Sequence, residues 1–307
     1  MIVEQGLNSL ASIPPGSTMS IGNFDGVHLG HQAIIRTLQA QAGDGERALV
    51  TFEPHPLTVL KPHLAPPRLS TTAQKHAQLN ALGIDRLIEL PPSQDVLNVT
   101  AEAFFSILRD QAKVKRLVEG STFNFGKGRG GNIDRLKEWT ARGGIGLTIV
   151  DDVKVTLSDL SIVSVNSSLI RWLLAYGRAA DAAICLGRPY AIEGKVVHGE
   201  KRGRTIGFPT ANLACEDQLL PAPGVYSAQT VIDGNPYKVA LSIGTNPHFD
   251  GKAITVEAYL LDFTGDLYDK TLSIEITSWI REQWKFPSLE TLIAQLHRDV
   301  KHVREST

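Results

Sequence analysis

Cysteine is scarce in this chain. Cys185 and Cys215 are the only two in 307 residues, too few for a disulfide framework and in keeping with a reducing compartment. Charge of either sign is not in surplus: 31 Lys and Arg stand against 32 Asp and Glu, a formal net of −1. Bulk charge therefore gives no reason to expect nucleic acid or an anionic membrane as a partner. No run approaches the roughly 20 apolar residues of a membrane span. Residues 1–13 contain neither a basic n-region nor an apolar h-region. Low-complexity tracts and internal repeats are missing as well. Together these absences predict a soluble, cytoplasmic protein. The hydrophobic content of 42% is that of ordinary packed cores, and the length suggests about two domains.

Apolar periodicity predicts alternating strands and helices through the first half of the chain. Strands are expected over 18–21, 48–52, 86–90, 116–119 and 147–150, and helices over 31–42, 73–82, 101–111 and 132–141. Along the first helix Ile34, Ile35, Leu38 and Ala42 share a face. This βαβα rhythm predicts an α/β, doubly wound parallel sheet whose ligands lie beyond the carboxyl ends of its strands. Two short helices, 168–176 and 179–186, broken at Gly177, are expected to close that domain. Past Gly187-Arg188-Pro189 the texture becomes β-rich, at 190–197, 225–232, 237–243, 255–261 and 272–280. Asp233-Gly234 is a hairpin signal between two of these runs. Short strands at this spacing predict a small antiparallel β-barrel. An amphipathic helix over 289–304 would cover one end. The expected domains are 1–185 and 186–307.

The most informative stretch is Gly22-Asn23-Phe24-Asp25-Gly26-Val27-His28-Leu29-Gly30-His31. It follows a predicted strand and opens a helix. A glycine-rich turn at a helix start aims backbone N–H groups and the positive end of the helix dipole at an anion. Imidazoles three apart at that place can donate to phosphate oxygens as charge builds on them. The pattern suits attack on a nucleoside triphosphate at its α-phosphate, where catalysis is positioning plus electrostatic stabilisation. His-x-Gly-His is the hallmark turn of the nucleotidylyltransferase superfamily, which this stretch resembles. Downstream, Ser167-Ser168-Leu169-Ile170-Arg171 opens another helix. Its serines can cap the helix or donate to phosphates, and Arg171 can neutralise a leaving pyrophosphate.

Residues 120–131 read Gly-Ser-Thr-Phe-Asn-Phe-Gly-Lys-Gly-Arg-Gly-Gly. Gly126-x-Gly128-x-x-Gly131 formally matches a dinucleotide fingerprint, and Asp151 lies twenty residues on. A lone match of this kind is weak, and the preceding segment makes a poor strand. An NAD(P)-binding oxidoreductase is therefore the weakest reading. Phe123 and Phe125 could stack on a flat ring, although aromatics beside a strand more often belong to a core. His55, between Pro54 and Pro56, is expected to have a minor role at most.

The second informative stretch runs over residues 194–213. Gly199, Gly203 and Gly207 permit a flap with close backbone approach. Lys201, Arg202 and Arg204 supply positive charge for phosphates. Thr210 and Asn212, two apart in an extended segment, are hard oxygen ligands suited to Mg²⁺. Gly-Lys-Ser/Thr is absent, so this is no Walker A loop; the bland alternative is a basic hairpin. Glu257 shares a strand face with Thr255 and Tyr259. It is either a wet-face carboxylate or a general base for an alcohol.

Over nearly its full length the chain resembles the prokaryotic bifunctional riboflavin kinase/FMN adenylyltransferase family. The matching pieces include 22–31, Thr51-Phe52-Glu53-Pro54-His55-Pro56, 123–131, 167–171, 186–190, 203–213, Pro223-Gly224-Val225-Tyr226 and Val256-Glu257-Ala258-Tyr259. The resemblance implies two ATP-dependent reactions. In the C-terminal domain riboflavin would be phosphorylated to FMN, with Glu257 as base, Thr210 and Asn212 holding Mg²⁺, and the flap of Gly199, Lys201, Gly203 and Arg204 over the phosphates. In the N-terminal domain FMN would be adenylylated to FAD with release of pyrophosphate. There His28 and His31 would stabilise the transition state and Asn23 would assist. Gly22, Phe24, Asp25 and Gly30 would shape the ATP site, with Ser167, Ser168 and Arg171 on its phosphates. Thr122, Phe123, Asn124 and Phe125 would lie near the flavin. The chain has Thr122 where the family has Asp or Asn, and Asn166-Ser167-Ser168 where it has Ser-Ser-Thr. A kinase with a weak or inactive adenylyltransferase half is thus a competing reading, as is a non-catalytic flavin carrier.

Overall fold

The computed structural model describes residues 1–199, 202–215, 217–245 and 254–306. Packing divides the chain into two units, one of residues 1–66 and 72–154, the other of 67–71 and 155–307. Each is described by itself.

In the first unit, parallel strands alternate with helices, and Asn124–Phe125 and Gly131–Asn132 form a small antiparallel pair apart from them. These are β1 (Ile2–Gln5), β2 (Thr18–Ile21), α1 (Leu29–Ala42), β3 (Arg47–Phe52), α2 (Leu57–Leu60), α3 (Thr72–Ala81) and β4 (Arg86–Leu90). There follow α4 (Gln94–Leu97), α5 (Ala101–Ser106), β5 (Arg116–Gly120), β6 (Asn124–Phe125), β7 (Gly131–Asn132), α6 (Ile133–Gly143) and β8 (Gly146–Val150). The sheet order is β1-β4-β3-β2-β5-β8. Its strands are short and rich in Val, Ile and Leu because both faces are covered. Met19, Val50, Ile88 and Leu117 pack into a core on one face. Leu49, Leu87 and Val118 meet Ile35 and Leu38 of α1 on the other. The order reverses direction between β2 and β5, which makes the carboxyl ends of these two strands the switch point where doubly wound sheets bind ligands. The sequence reading did not include β1. It is an edge strand with Ile2 and Val3 exposed, so no apolar run marks it. The helix expected over 101–111 changes at Ile107 into a wider π-turn running to Gln111.

The second unit holds a hairpin of β9 (Lys154–Thr156, its first residue closing the first unit) and β10 (Ile162–Ser164), then α7 (Ser167–Ala175) and α8 (Ala179–Leu186). A closed antiparallel barrel follows, in the order β11-β12-β15-β14-β13-β16. Its strands are β11 (Tyr190–Val197), β12 (Ala211–Ala214), β13 (Gly224–Ile232), β14 (Asn235–Gly244), β15 (Thr255–Leu260) and β16 (Thr271–Arg281), with α9 (Arg202–Thr205) between the first two. Alternate residues such as Val239, Leu241 and Ile243 fill the interior. Asp233 and Gly234 both take positive φ, 50° and 81°, in the two-residue turn between Ile232 and Asn235, as the hairpin signal predicts. The helices α7 and α8, expected to close the first domain, pack in this unit, with α8 against β16 and β11.

The terminal helix α10 (Leu289–Glu305) starts with a capping box of Ser288 and Thr291. Asp299, 2% exposed, fastens it to the barrel. It accepts from Arg281 Nη2 at 2.7 Å and Nε at 3.0 Å, and from Gln295 Nε2 at 2.8 Å. Breaking a buried pair leaves an uncompensated charge. Asp299→Ala is therefore expected to lower the stability of this unit by about 3–5 kcal/mol, read as a shifted midpoint in urea unfolding.

Candidate active sites

The first centre forms where β2 ends. Phe24 and Val27 take left-handed backbone at φ 48° and 39°, and Gly26 joins them at 76°. Such a conformation costs a non-glycine residue roughly 1–3 kcal/mol and persists only where the surroundings over-determine it. Here they do: Phe24 and Val27 are each 1% exposed in the core beneath α1. In addition, Thr51 Oγ1 donates to Asn23 O at 3.0 Å. The Asn23 side of the loop is exposed, while Gly22, Asp25 and Gly30 are half-buried.

His28 is the N-cap of α1 and is 6% exposed; the His31 backbone N–H donates to its Nδ1 at 3.3 Å. With Nδ1 accepting, a neutral His28 ring carries its proton on Nε2. The two rings stack with centroids 3.7 Å apart and planes 16° from parallel. Phe24 leans on His31 from 5.1 Å. His31 Nδ1 is buried with no hydrogen-bond partner. Burial, and then the neighbouring charge of His28, push the His31 imidazole well below its ordinary pKa. Without a ligand His31 is thus neutral near pH 7, and an incoming polyphosphate would favour its charged form.

Sequence reading did not single out Glu119. It ends the apolar run of β5, is 1% exposed, and accepts from Ile21 N–H at 3.0 Å and Ser20 Oγ at 3.5 Å. A carboxylate closing an apolar strand at a predicted carboxyl end was the available signal.

The glycine-rich segment after β5 is a hairpin turn between β6 and β7. Gly126 at φ 74° lies against the Ala101 backbone, and Gly131 against the Phe125 ring. Packing explains these glycines, which removes the dinucleotide reading. Phe125 is a core residue, stacked on Phe123 at 5.3 Å and edge-on to Trp139. Thr122, just before β6, and Asn124, its first residue, are exposed, with Asn124 Nδ2 donating to Thr122 O at 2.7 Å. His55 Nδ1 accepts from Leu57 N–H at 3.1 Å.

In the second unit α7 is capped by Asn166, whose Oδ1 accepts from Leu169 N–H at 2.9 Å. The cap expected of Ser167 and Ser168 is therefore not theirs, and they occupy the first helical positions. Arg171 Nε donates to Pro67 O at 2.7 Å.

The second centre lies on the barrel. Asn212 of β12 faces Glu257 of β15 across the ladder. Thr210 Oγ1 donates to Glu257 Oε2 at 3.4 Å, and Thr255 Oγ1 to Glu257 Oε1 at 3.3 Å. The face predicted for Thr255, Glu257 and Tyr259 is the one opposite buried Val256, Ala258 and Leu260. Thr255 is the addition here; its hydroxyl lies between Glu257 Oε1 at 3.3 Å and the Gly244 carbonyl at 3.1 Å. Two glycines of the expected flap pack tightly against their neighbours. A side chain at Gly199 would strike the Asn212 amide, and one at Gly203 the Phe208 carbonyl. Gly207 takes φ 88°. Phe208 anchors the flap's far end, edge-on to Tyr259 and to His297 of α10. Arg204 is exposed. Lys201 lies outside the described residues.

Two family profiles match the chain in tandem. One described as FAD synthetase covers residues 10–164, and one described as riboflavin kinase covers 186–307. The bifunctional riboflavin kinase/FMN adenylyltransferase of Pseudomonas fluorescens is 36% identical over 309 residues, spanning 99% of this chain and 97% of that one. The chain belongs to the bifunctional riboflavin kinase/FMN adenylyltransferase family. The family's protein from Listeria monocytogenes is 37% identical over 296 residues, 93% of this chain and 91% of its own. A crystal structure named as a macrolide-efflux protein from Streptococcus pneumoniae is 30% identical, with a TM-score of 0.89 and full coverage of both chains. That likeness is one of fold; among the described residues no helix here is long and apolar enough to cross a membrane.

Proposed function

We infer that the chain makes FAD from riboflavin in two ATP-consuming steps, phosphorylation to FMN in residues 186–307 and adenylylation of FMN in residues 1–185. The observation that supports this reading is the coexistence, in a chain of this family, of two side-chain clusters suited to phosphate chemistry. One is the stacked His28–His31 pair at a helix start. The other is Glu257 held between two threonine hydroxyls.

In the kinase step Glu257 takes the proton from the riboflavin 5′-hydroxyl as its oxygen attacks the γ-phosphorus of ATP, and ADP leaves. A base that accepts from Thr210 and Thr255 is already oriented. Mg²⁺ fits this centre: Thr210, Asn212 and the Glu257 carboxylate offer hard oxygen donors on adjacent strands. Thr210 and Asn212 would hold it. When bound, it supplies charge neutralisation on the phosphates. Gly199, Lys201, Gly203 and Arg204 would serve the phosphates.

In the adenylyl step an FMN phosphate oxygen attacks the α-phosphorus of a second ATP. The bond to the β-phosphate breaks and pyrophosphate departs, with no covalent enzyme intermediate. His28 and His31 donate to the charge that grows on the transferred group, Asn23 assists, and the backbone of Gly22, Phe24, Asp25 and Gly30 forms the cradle. Ser167, Ser168 and Arg171 serve the ATP phosphates. Thr122, Phe123 and Asn124, backed by Phe125, serve the flavin. The cytoplasm is the compartment we assign. In its support, both cysteines are free, and burial pushes each thiol up to about 11, which makes them poor nucleophiles.

A time course with riboflavin and MgATP, resolved by chromatography, tests the reading. FMN is expected first and FAD after it. FMN alone would leave a kinase with an idle first half. Bound flavin with no product would leave a carrier.

A further inference from the structure

The root of the histidine loop is held in an unusual way. The ladder between β2 and β5 pairs Thr18 with Arg116 and Met19 with Leu117. On their outer sides both strands run further, β2 beside β3 to Ile21 and β5 beside β8 to Gly120. Past Met19 the next bond from β2 toward β5 is not backbone to backbone. Ile21 N–H donates to the Glu119 side chain, Oε1, at 3.0 Å, and Ser20 Oγ reaches Oε2 at 3.5 Å. One residue later Gly22 N–H donates to Val50 O at 3.0 Å on the opposite side. The last two amides before the loop are thus tied one to each neighbouring strand, and one of the two ties is a side chain.

We propose that Glu119 is a positioning residue of the adenylylation centre, its carboxyl group replacing a strand-to-strand bond at the switch point and fixing where β2 hands over to the loop that carries His28 and His31. This rests on the adenylylation reading above. A buried N–H needs an acceptor, and a carboxyl group is a costly way to supply one in a core. An apolar residue would be cheaper at every position except one where the two strands part and an N–H is left facing the gap. Burial pushes the Glu119 carboxyl well above its ordinary range, against the smaller opposing effect of the Ile21 and Ser20 bonds. Its accepting oxygen serves Ile21 whether or not the group is ionised. A loop whose root shifts carries both imidazoles with it, and a displacement of about 1 Å at reacting groups can cost about 100-fold in rate.

Full-length Glu119→Val and Glu119→Gln are compared with the unaltered protein. Three readings are taken: kcat and ATP KM for FMN adenylylation, riboflavin phosphorylation in the same preparation, and the melting curve. Glu119→Val is expected to lower adenylylation kcat by about 10- to 100-fold with ATP KM changed far less, and to leave phosphorylation intact. Glu119→Gln keeps an acceptor and is expected to restore kcat to within about threefold, a rescue that a general loss of core stability would not show. A folded valine variant with unaltered kcat overturns the inference. Should the valine variant fail to fold, a folded glutamine variant whose kcat falls more than about tenfold overturns it instead, because the acceptor is retained. Absence of FAD synthesis in the unaltered protein is a different failure: it overturns the adenylylation reading and this inference with it.

Discussion

His31→Ala abolishes FAD formation from FMN and MgATP and leaves FMN formation from riboflavin at its original rate. The imidazole is stacked on His28 at 3.7 Å and its Nδ1 is buried without a partner. On the function proposed above it would be a donor held in place ahead of the reaction, which is what makes electrostatic stabilisation effective. Losing one such donor costs about 10²–10³ in kcat, and here the loss also removes the ring against which His28 is set. A fall of about 10³ is therefore expected, beyond detection in a routine assay. The fold should survive, because the helix cap uses the His31 backbone N–H rather than its ring. Chromatographic separation of FMN and FAD reads both outcomes from one sample. Loss of both products in a folded protein would show that the two reactions do not have separate sites.

Glu257→Ala gives the opposite pattern: no FMN from riboflavin, and unchanged FAD when FMN is supplied. A positioned general base is worth about 10²–10⁴ in rate. Its removal also takes from the Thr210 hydroxyl the acceptor at 3.4 Å, whereas Thr255 Oγ1 keeps the Gly244 carbonyl at 3.1 Å. Glu257→Gln separates the two contributions, since it keeps an acceptor for the threonines and removes the base. It is expected to lose nearly as much rate as the alanine variant. A glutamine variant with rapid FMN formation would assign Glu257 an orienting role and leave the base elsewhere.

The place of the histidine loop was legible in the sequence because its signals are local: glycines, a helix start and two imidazoles three apart are visible without neighbours. The same holds for Asp233-Gly234, whose turn conformation is set by the two residues themselves. Glu119 showed in the sequence only as a carboxylate closing an apolar strand; its partner was not legible. Nothing in Leu117-Val118-Glu119-Gly120 announces that Ile21, almost a hundred positions away, lacks a backbone partner. The N-cap of α7 was misread for a smaller reason. Asn, Ser and Thr all cap well, and three candidates in a row, Asn166, Ser167 and Ser168, can be ranked only by where the helix begins. Phe125 shows the third limit. An aromatic beside a glycine turn reads equally as a flavin platform or as core, and only the packing of Phe104, Trp139 and Phe123 around it decides where its ring lies.

Residues 67–71 belong to the barrel's unit although the chain on both sides of them belongs to the other. Within that unit Arg68 O accepts from Leu219 N–H, Leu69 O from the Gln218 side chain, and Thr71 Oγ1 donates to Glu193. On a ribosome this strap emerges well before any of those partners. At about 5–20 residues per second, it waits roughly 7–30 s for residue 219. The nascent first unit must therefore close around a gap in its own sequence while leaving that piece exposed. A gene fragment encoding only 186–307 would never make it at all. Such a fragment is expected to keep the Gln218 bonds to Ala191 O and Glu193 N–H, to lose the strap's partners for the Glu193 carboxylate and the Leu219 amide, and to fold less well than its intact family profile suggests.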